Sequence, residues 1–141
     1  MITTIEIDCP PERVYAYVTD PTRFPEWQAD VVRVEMGDEP GVGARFTTVR
    51  RIAGAERSMI QQISEHRPPH RWASIAVGGP IRPAGGIDVA PINGGRACRV
   101  TFTLDFDGRG LGVALLPLVR RQAEKTAPVS YRRAKAALES N

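Results

Sequence analysis

The sequence predicts an α+β fold, a seven-stranded antiparallel sheet with its helices segregated to one side. Three observations predict it. The chain opens on a strand-like alternation, Ile2 to Asp8, reads as strand after strand between Val31 and Phe106, and closes on one long helical stretch, Gly110 to Glu139. Strands joined by short turns form a meander, and 141 residues make one domain of ordinary size, so residues 1–141 are read as a single domain.

In the first element Ile2, Thr4 and Glu6 alternate with Thr3, Ile5 and Ile7, a run rich in β-branched residues. Pro10-Pro11 ends it. Proline is tolerated in a helix's first turn, and Val14, Tyr17 and Val18 recur at helical spacing, so Pro11 to Thr19 is predicted as a short helix. Asp20-Pro21 stops that helix, because the residue before a proline is pushed out of the α region. Phe24, Pro25 and Trp27 make a second short helix or turn whose aromatics serve as a core plug or a pocket wall. The later strands are Val31 to Met36, Ala44 to Ile52, Glu56 to Glu65, Arg71 to Val77, Gly86 to Ala90 and Ala97 to Phe106. Gly37 to Gly43, Ala53-Gly54, Pro68-Pro69, Gly78-Gly79-Pro80 and Asn93-Gly94-Gly95 separate them, and Asn-Gly is the strongest hairpin signal of the set.

At about 100° per residue, the closing helix puts Leu115, Leu118, Gln122, Thr126, Val129, Arg133 and Ala136 on one stripe and Arg120, Glu124, Arg132 and Lys135 off it. That stripe is apolar at its start and polar at its end, so the N-terminal half is the part expected to pack or to face a ligand. Pro117 and Pro128 each remove an internal donor and crowd the preceding turn, at about 3 kcal/mol unless the fold compensates. They either bend one helix around a curved sheet or split off Leu111 to Leu116 as a separate piece.

Composition excludes more than it assigns. Hydrophobic residues at 42% and charged ones at 25% are globular values. The net charge of +3 is spread over scattered arginines with no basic stripe and no interleaved aromatics, so nucleic acid is not an expected partner. Arg50-Arg51, Arg120-Arg121 and Arg132-Arg133 are isolated pairs. No apolar run reaches membrane-spanning length and no signal peptide is visible, so a cytoplasmic protein without stable membrane insertion is expected. Cys9 and Cys98 are too few for a disulfide framework and lack metal-ligand spacing; with the first strand beside the last they come close as buried free thiols. His66 and His70 bracket Arg67-Pro68-Pro69, and consecutive prolines forbid the single helical face a two-histidine metal motif needs. Neither histidine is expected to reach the inner face, no Ser-His-Asp set is visible, and no metal or cofactor is expected. The glycines from Gly108 to Gly112 lack a parallel strand before them and a Lys-Ser/Thr ending, so they lead into the helix and form no phosphate loop.

Three stretches resemble one family. Val14 to Trp27, VYAYVTDPTRFPEW, is similar to the helix, Asp, aromatic, Pro and Trp signature near the start of START-like (SRPBCC) domains of the polyketide cyclase and dehydratase type. Glu65 to Arg71 resembles that group's Glu-x-x-Pro-Pro turn, and Ala90 to Arg96 its Pro-x-x-Gly-Gly hairpin. The Lys135 to Glu139 ending also fits, and the resemblance covers nearly the whole chain. It implies the helix-grip (Bet v 1/START-like) fold, a seven-stranded antiparallel sheet curled around a long C-terminal helix with two short helices between strands 1 and 2 and a cavity between sheet and helix. Members include carriers of lipids or hormones and aromatic polyketide cyclases. Two departures stand out: Pro128 in the later half of the helix, and a polar stripe near Arg133 that implies a closed or wet end.

Strand alternation assigns the inner face. Cys98, Val100, Phe102, Leu104 and Phe106 share one parity, and by the same logic Phe46 brings Thr48, Arg50 and Ile52, Met59 brings Gln61 and Ile63, Trp72 brings Ser74 and Ala76, and Ile87 brings Val89. The expected cavity lining is Tyr17, Trp27, Phe46, Thr48, Arg50, Met59, Gln61, Trp72, Ser74, Phe102 and Leu104, with Leu115, Leu118 and Gln122 from the helix. This is a mostly apolar wall with a few polar points, as small-molecule pockets have. Arg50 facing it is either held by an internal carboxylate or kept for a ligand carboxylate, phenolate or phosphate, while a one-residue shift of register sends it to solvent. Gln61 and Ser74 either bind a ligand carbonyl or satisfy each other or a buried water.

Three functions fit these residues. The first is binding or carriage of a small hydrophobic or amphipathic molecule by a monomer or homodimer. The second is a polyketide cyclase- or dehydratase-like enzyme in which Arg50 or Tyr17 polarises a carbonyl; no catalytic set identifies one. The third is a regulatory or interaction module whose cavity is filled by its own side chains.

Overall fold

The computed structural model describes residues 1–140. Strand β1 (Ile2–Ile7) leads into α1 (Pro11–Val18), a 3-10 turn (Pro21–Arg23) and the single-turn helix α2 (Phe24–Trp27). Strands β2 (Val31–Met36), β3 (Arg45–Ile52), β4 (Ala55–Arg67), β5 (Arg71–Gly78), β6 (Ile81–Ile92) and β7 (Ala97–Gly108) follow, and α3 (Gly112–Glu139) ends the chain. All seven strands form one antiparallel sheet in the order β1-β7-β6-β5-β4-β3-β2, curled around α3. β1 reaches the far side of the meander and lies against β7, with Ile5 opposite Val100 and Ile7 opposite Cys98.

The short elements form for the expected reasons. Pro11 fills the first helical position of α1, and the Asp20 carboxylate accepts from the Thr22 amide to start the next turn. The register of β4 against β5 is irregular between Ile60 and Gln61 and between Ile63 and Glu65, as where a bulge bends a strand.

The inner parity of β3, β4, β5, β6 and β7 is as expected. Phe46, Thr48, Met59, Gln61, Trp72, Ser74, Ile87 and Phe102 are all buried. β6 is longer than expected, because Pro83 and the glycines after it read as turn. The β5–β6 ladder ends at Ile75 opposite Ala84, so Pro83 lies beyond it and pairs only with Phe106 of β7.

Of the two alternatives for the long helix, the single helix is the one found: α3 runs 28 residues through Pro117 and Pro128. One expectation needs correction, because the buried face is rotated by one residue, about 100°. Val119, Ala123, Ala127, Ser130, Tyr131, Ala134 and Leu138 are buried, where Leu115, Leu118, Gln122, Thr126, Val129, Arg133 and Ala136 were expected. Small alanines let the helix bed against the sheet; of the leucines that suggested the other face, Leu111 at 87% and Leu118 at 50% exposure stand off, and Leu115 is partly buried. The C-terminal half is therefore the better packed one. Its end is closed, not wet, by Ala134 and Leu138 in the main core, with Lys135 Nζ donating to the Glu6 carbonyl and the Asp8 amide donating to Glu139 Oε2.

Candidate functional site

The inner face of the sheet and the buried face of α3 enclose a cavity of about 100 Å³. Its walls follow from the periodicities just described. β5, β6 and β7 present Trp72, Ser74, Gly85, Phe102 and Leu104 at alternate positions; α2 supplies Phe24 and Trp27; α3 supplies Ala123, Ala127 and Tyr131. Ser74, Gly85 and Leu104 lie in line across three neighbouring strands. Gly85 opens this row: an added Cβ would meet nothing closer than the Thr103 carbonyl oxygen at 3.8 Å.

The aromatics hold one another edge to face and flat. Phe24 meets Trp27, Phe46 and Trp72 at T-shaped angles with centroids 5.9 to 6.0 Å apart, and Tyr131 lies on Phe102 at 4.0 Å. Burial, and after it the negative charge of Asp30, push the Tyr131 hydroxyl up to about 12, so it is protonated at neutral pH.

Polar groups enter at two places. Arg50 faces the cavity and is held by an internal carboxylate, its Nη1 donating to Asp30 Oδ1 at 3.2 Å and to Gln28 Oε1 at 2.9 Å. Deeper in, Thr48 Oγ1 donates to Gln61 Oε1 at 2.8 Å, and Gln61 Nε2 donates to Ser74 Oγ at 3.3 Å.

Of the residues expected to line the cavity, Trp27, Arg50, Gln61, Trp72, Ser74, Phe102 and Leu104 are brought together in its wall. The others are not. Phe46 is buried against Phe24 and Trp72 and Thr48 is buried on Gln61, neither in the lining, and Met59 and Leu115 pack in a separate cluster with Ile52, Ile81 and Val119. Leu118 is half exposed, and Gln122 is spent on the β3–β4 turn, accepting from the Ala53 amide and donating to the Arg51 carbonyl. Tyr17 lies outside, its hydroxyl donating to Glu26 and its ring under the Arg23 guanidinium, so it has no access to a ligand carbonyl in the cavity.

Sequence reasoning missed Gln28 and Asp30, which sit in a loop without periodicity. It missed Ala123, Ala127 and Tyr131 because the helix face was phased on leucine; an alanine-weighted stripe at 123, 127 and 134 was the available signal. His66 stands apart, stacked on Tyr15, with Tyr15 Oη 2.8 Å from its Nδ1 and 3.0 Å from the Arg71 carbonyl it donates to. Cys9 and Cys98 are buried and free; burial, and after it the proximity of Cys9, push the Cys98 thiol up to about 11. Among the described residues no helix is long and apolar enough to cross a membrane.

Known structures share this architecture. A Thermus thermophilus protein is 20% identical at a TM-score of 0.79, with 98% of this chain and 95% of that one covered. A START superfamily protein from Mycobacterium smegmatis is 14% identical at 0.80, covering 99% and 97%. The Zhui aromatase/cyclase from a Streptomyces species is also 14% identical at 0.80, covering 99% and 92%. At these identities the likeness is one of fold. No curated protein matches the sequence. The profile of one family covers residues 2–139, and on that match the chain belongs to the START-like family described as polyketide cyclase / dehydrase and lipid transport.

Proposed function

We propose that this protein binds and carries a small hydrophobic molecule in the cavity between sheet and α3, with residues 1–141 acting as one cytoplasmic ligand-binding domain, monomeric or homodimeric. The observation that carries this reading is the hollow itself: about 100 Å³ walled by Phe24, Trp27, Trp72, Phe102 and Tyr131, with few polar points. An interior filled by its own side chains would not leave that space. Dry apolar cavities of about 150 Å³ accept benzene, and typical small-molecule pockets start near about 300 Å³. The hollow is smaller than either, so a ligand of one ring or more widens the gap between α3 and the sheet as it enters.

Both tryptophans of the chain, Trp27 and Trp72, are in the wall, so intrinsic fluorescence reports occupancy. Native mass spectrometry of the purified protein is expected to show a co-purifying small molecule whose return to stripped protein changes that fluorescence. A bare mass together with no response to a panel of single-ring apolar compounds would reject the reading.

The Tyr131 hydroxyl, protonated beside the Arg50–Asp30 pair, favours a second reading as a polyketide cyclase- or dehydratase-like enzyme. A proton donor and a guanidinium in one apolar hollow can polarise a substrate carbonyl while the walls position it. Tyr131→Phe distinguishes the two: an enzyme loses turnover while keeping affinity, and a carrier keeps affinity with no turnover to lose.

A further inference from the structure

We propose that the cavity selects an uncharged, planar ligand bearing a carbonyl-type oxygen, a specificity that rests on the binding role above and narrows it. Two donors of its lining residues lack acceptors: Nε1 of Trp27 and Nε of Arg50 are buried and make no hydrogen bond among the described residues. Trp27 is 2% exposed and the Arg50 side chain 13%. A buried donor left unpaired costs about 1–3 kcal/mol, and folded proteins keep few of them.

The remaining polar wall has the same polarity. The relay from Thr48 through Gln61 to Ser74 runs donor to acceptor toward the cavity, so its last member is left with a hydroxyl hydrogen to give. The Tyr131 hydroxyl stays protonated, so it too has a hydrogen to give. At the rim, Asp30 and Gln28 Oε1 both accept from Arg50 Nη1 and not from Arg50 Nε or Trp27 Nε1. What Trp27 Nε1 and Arg50 Nε lack is an oxygen to receive their hydrogens.

Charge decides which oxygen. Among the described residues Arg50 and Asp30 are the only acidic or basic side chains in the lining, and they pair with each other at 3.2 Å. A carboxylate or phosphate would be buried in a neutral apolar hollow beside Asp30 with no free cation, which is unfavourable. An ammonium has no acceptor to offer Trp27 Nε1 and Arg50 Nε. A ketone, aldehyde, ester or quinone oxygen meets the donors and brings no charge. The flat aromatic surfaces of Trp27, Trp72, Phe102 and Tyr131 suit a planar ring. The internal ion pair thus removes the reason to expect an anion from Arg50.

Three probes of nearly equal shape test this on the full chain: α-methylstyrene, acetophenone and benzoate, titrated calorimetrically into the native protein and into the variants Trp27→Phe and Arg50→Lys. α-Methylstyrene needs no hydrogen bond and reports whether each variant keeps its cavity. Acetophenone is expected to bind at least as tightly as α-methylstyrene although it is less apolar, and benzoate about tenfold more weakly than acetophenone. The ratio of acetophenone to α-methylstyrene affinity is expected to fall about fivefold in at least one variant. Benzoate binding as tightly as acetophenone, or a ratio unchanged in both variants while α-methylstyrene still binds, would overturn the acceptor specificity and leave the binding role standing. Failure of all three probes on the native protein would remove the binding role and this specificity together.

Discussion

The ring of Tyr131 lies flat on the ring of Phe102, centroids 4.0 Å apart and planes 12° from parallel. This contact packs α3 on β7 and forms part of the cavity wall, so its stabilising part resides in the ring and its chemical part in the hydroxyl. Tyr131→Ala is expected to lower unfolding free energy by about 3–5 kcal/mol, as deletion of a buried aromatic does, and Tyr131→Phe by under about 1 kcal/mol. Urea denaturation of both variants checks this. Equal losses would place the stabilisation in the hydroxyl.

Alkaline pH should expose the same burial. Tyr131 and Tyr15 are both pushed up to about 12, chiefly by desolvation, from the ordinary phenol value of about 10. Below pH 10 both folded and unfolded forms are protonated and stability is unaffected. Between pH 10 and 12 the unfolded chain loses these protons while the folded one keeps them, so stability falls as pH rises, by on the order of 2 kcal/mol per tyrosine at the upper end. Absorbance near 295 nm should show these two phenols still un-ionised at pH 11 in folded protein and ionised after urea is added. Full ionisation at pH 11 without unfolding would contradict their burial.

The fold was legible because strand periodicity is robust: a period of two over Cys98 to Phe106 or Phe46 to Ile52 leaves only two choices of face, and large apolar residues mark the right one. The helix offers a continuum of phases. Leu111, Leu115 and Leu118 pulled the inferred face toward themselves, whereas close packing at Ala123, Ala127 and Ala134 depends on residues being small, which hydrophobicity ranks low. Arg50 illustrates a second limit. Its inward parity was readable, but its partner Asp30 sits 20 residues away in a loop, and no local pattern links them.

Gly85 is the position where binding and stability separate. Its φ is not in the left-handed region, its Cβ direction is open, and it faces Ser74 and Leu104 across the cavity floor. Gly85→Val should fill part of the hollow while replacing a glycine that weakens a strand. The expected outcome is an unchanged or higher melting temperature with ligand affinity reduced at least about tenfold, read by tryptophan fluorescence. Undiminished affinity in a folded variant would place the ligand somewhere other than this cavity.

The phase of α3 can be tested with two substitutions that a leucine-centred reading ranks in the opposite order. Leu118 is 50% exposed and packs in neither core cluster, so Leu118→Lys should change stability by under about 0.5 kcal/mol. Ala134 is fully buried in the main core, and Ala134→Leu must push the helix off β1 and β7 or force strained rotamers, at about 1–3 kcal/mol. Thermal melts of the two variants settle the order. A large loss at Leu118 with tolerance at Ala134 would rotate the buried face back by one residue. It would also take Tyr131 and Ala127 out of the cavity wall, because the same rotation carries both of them with it.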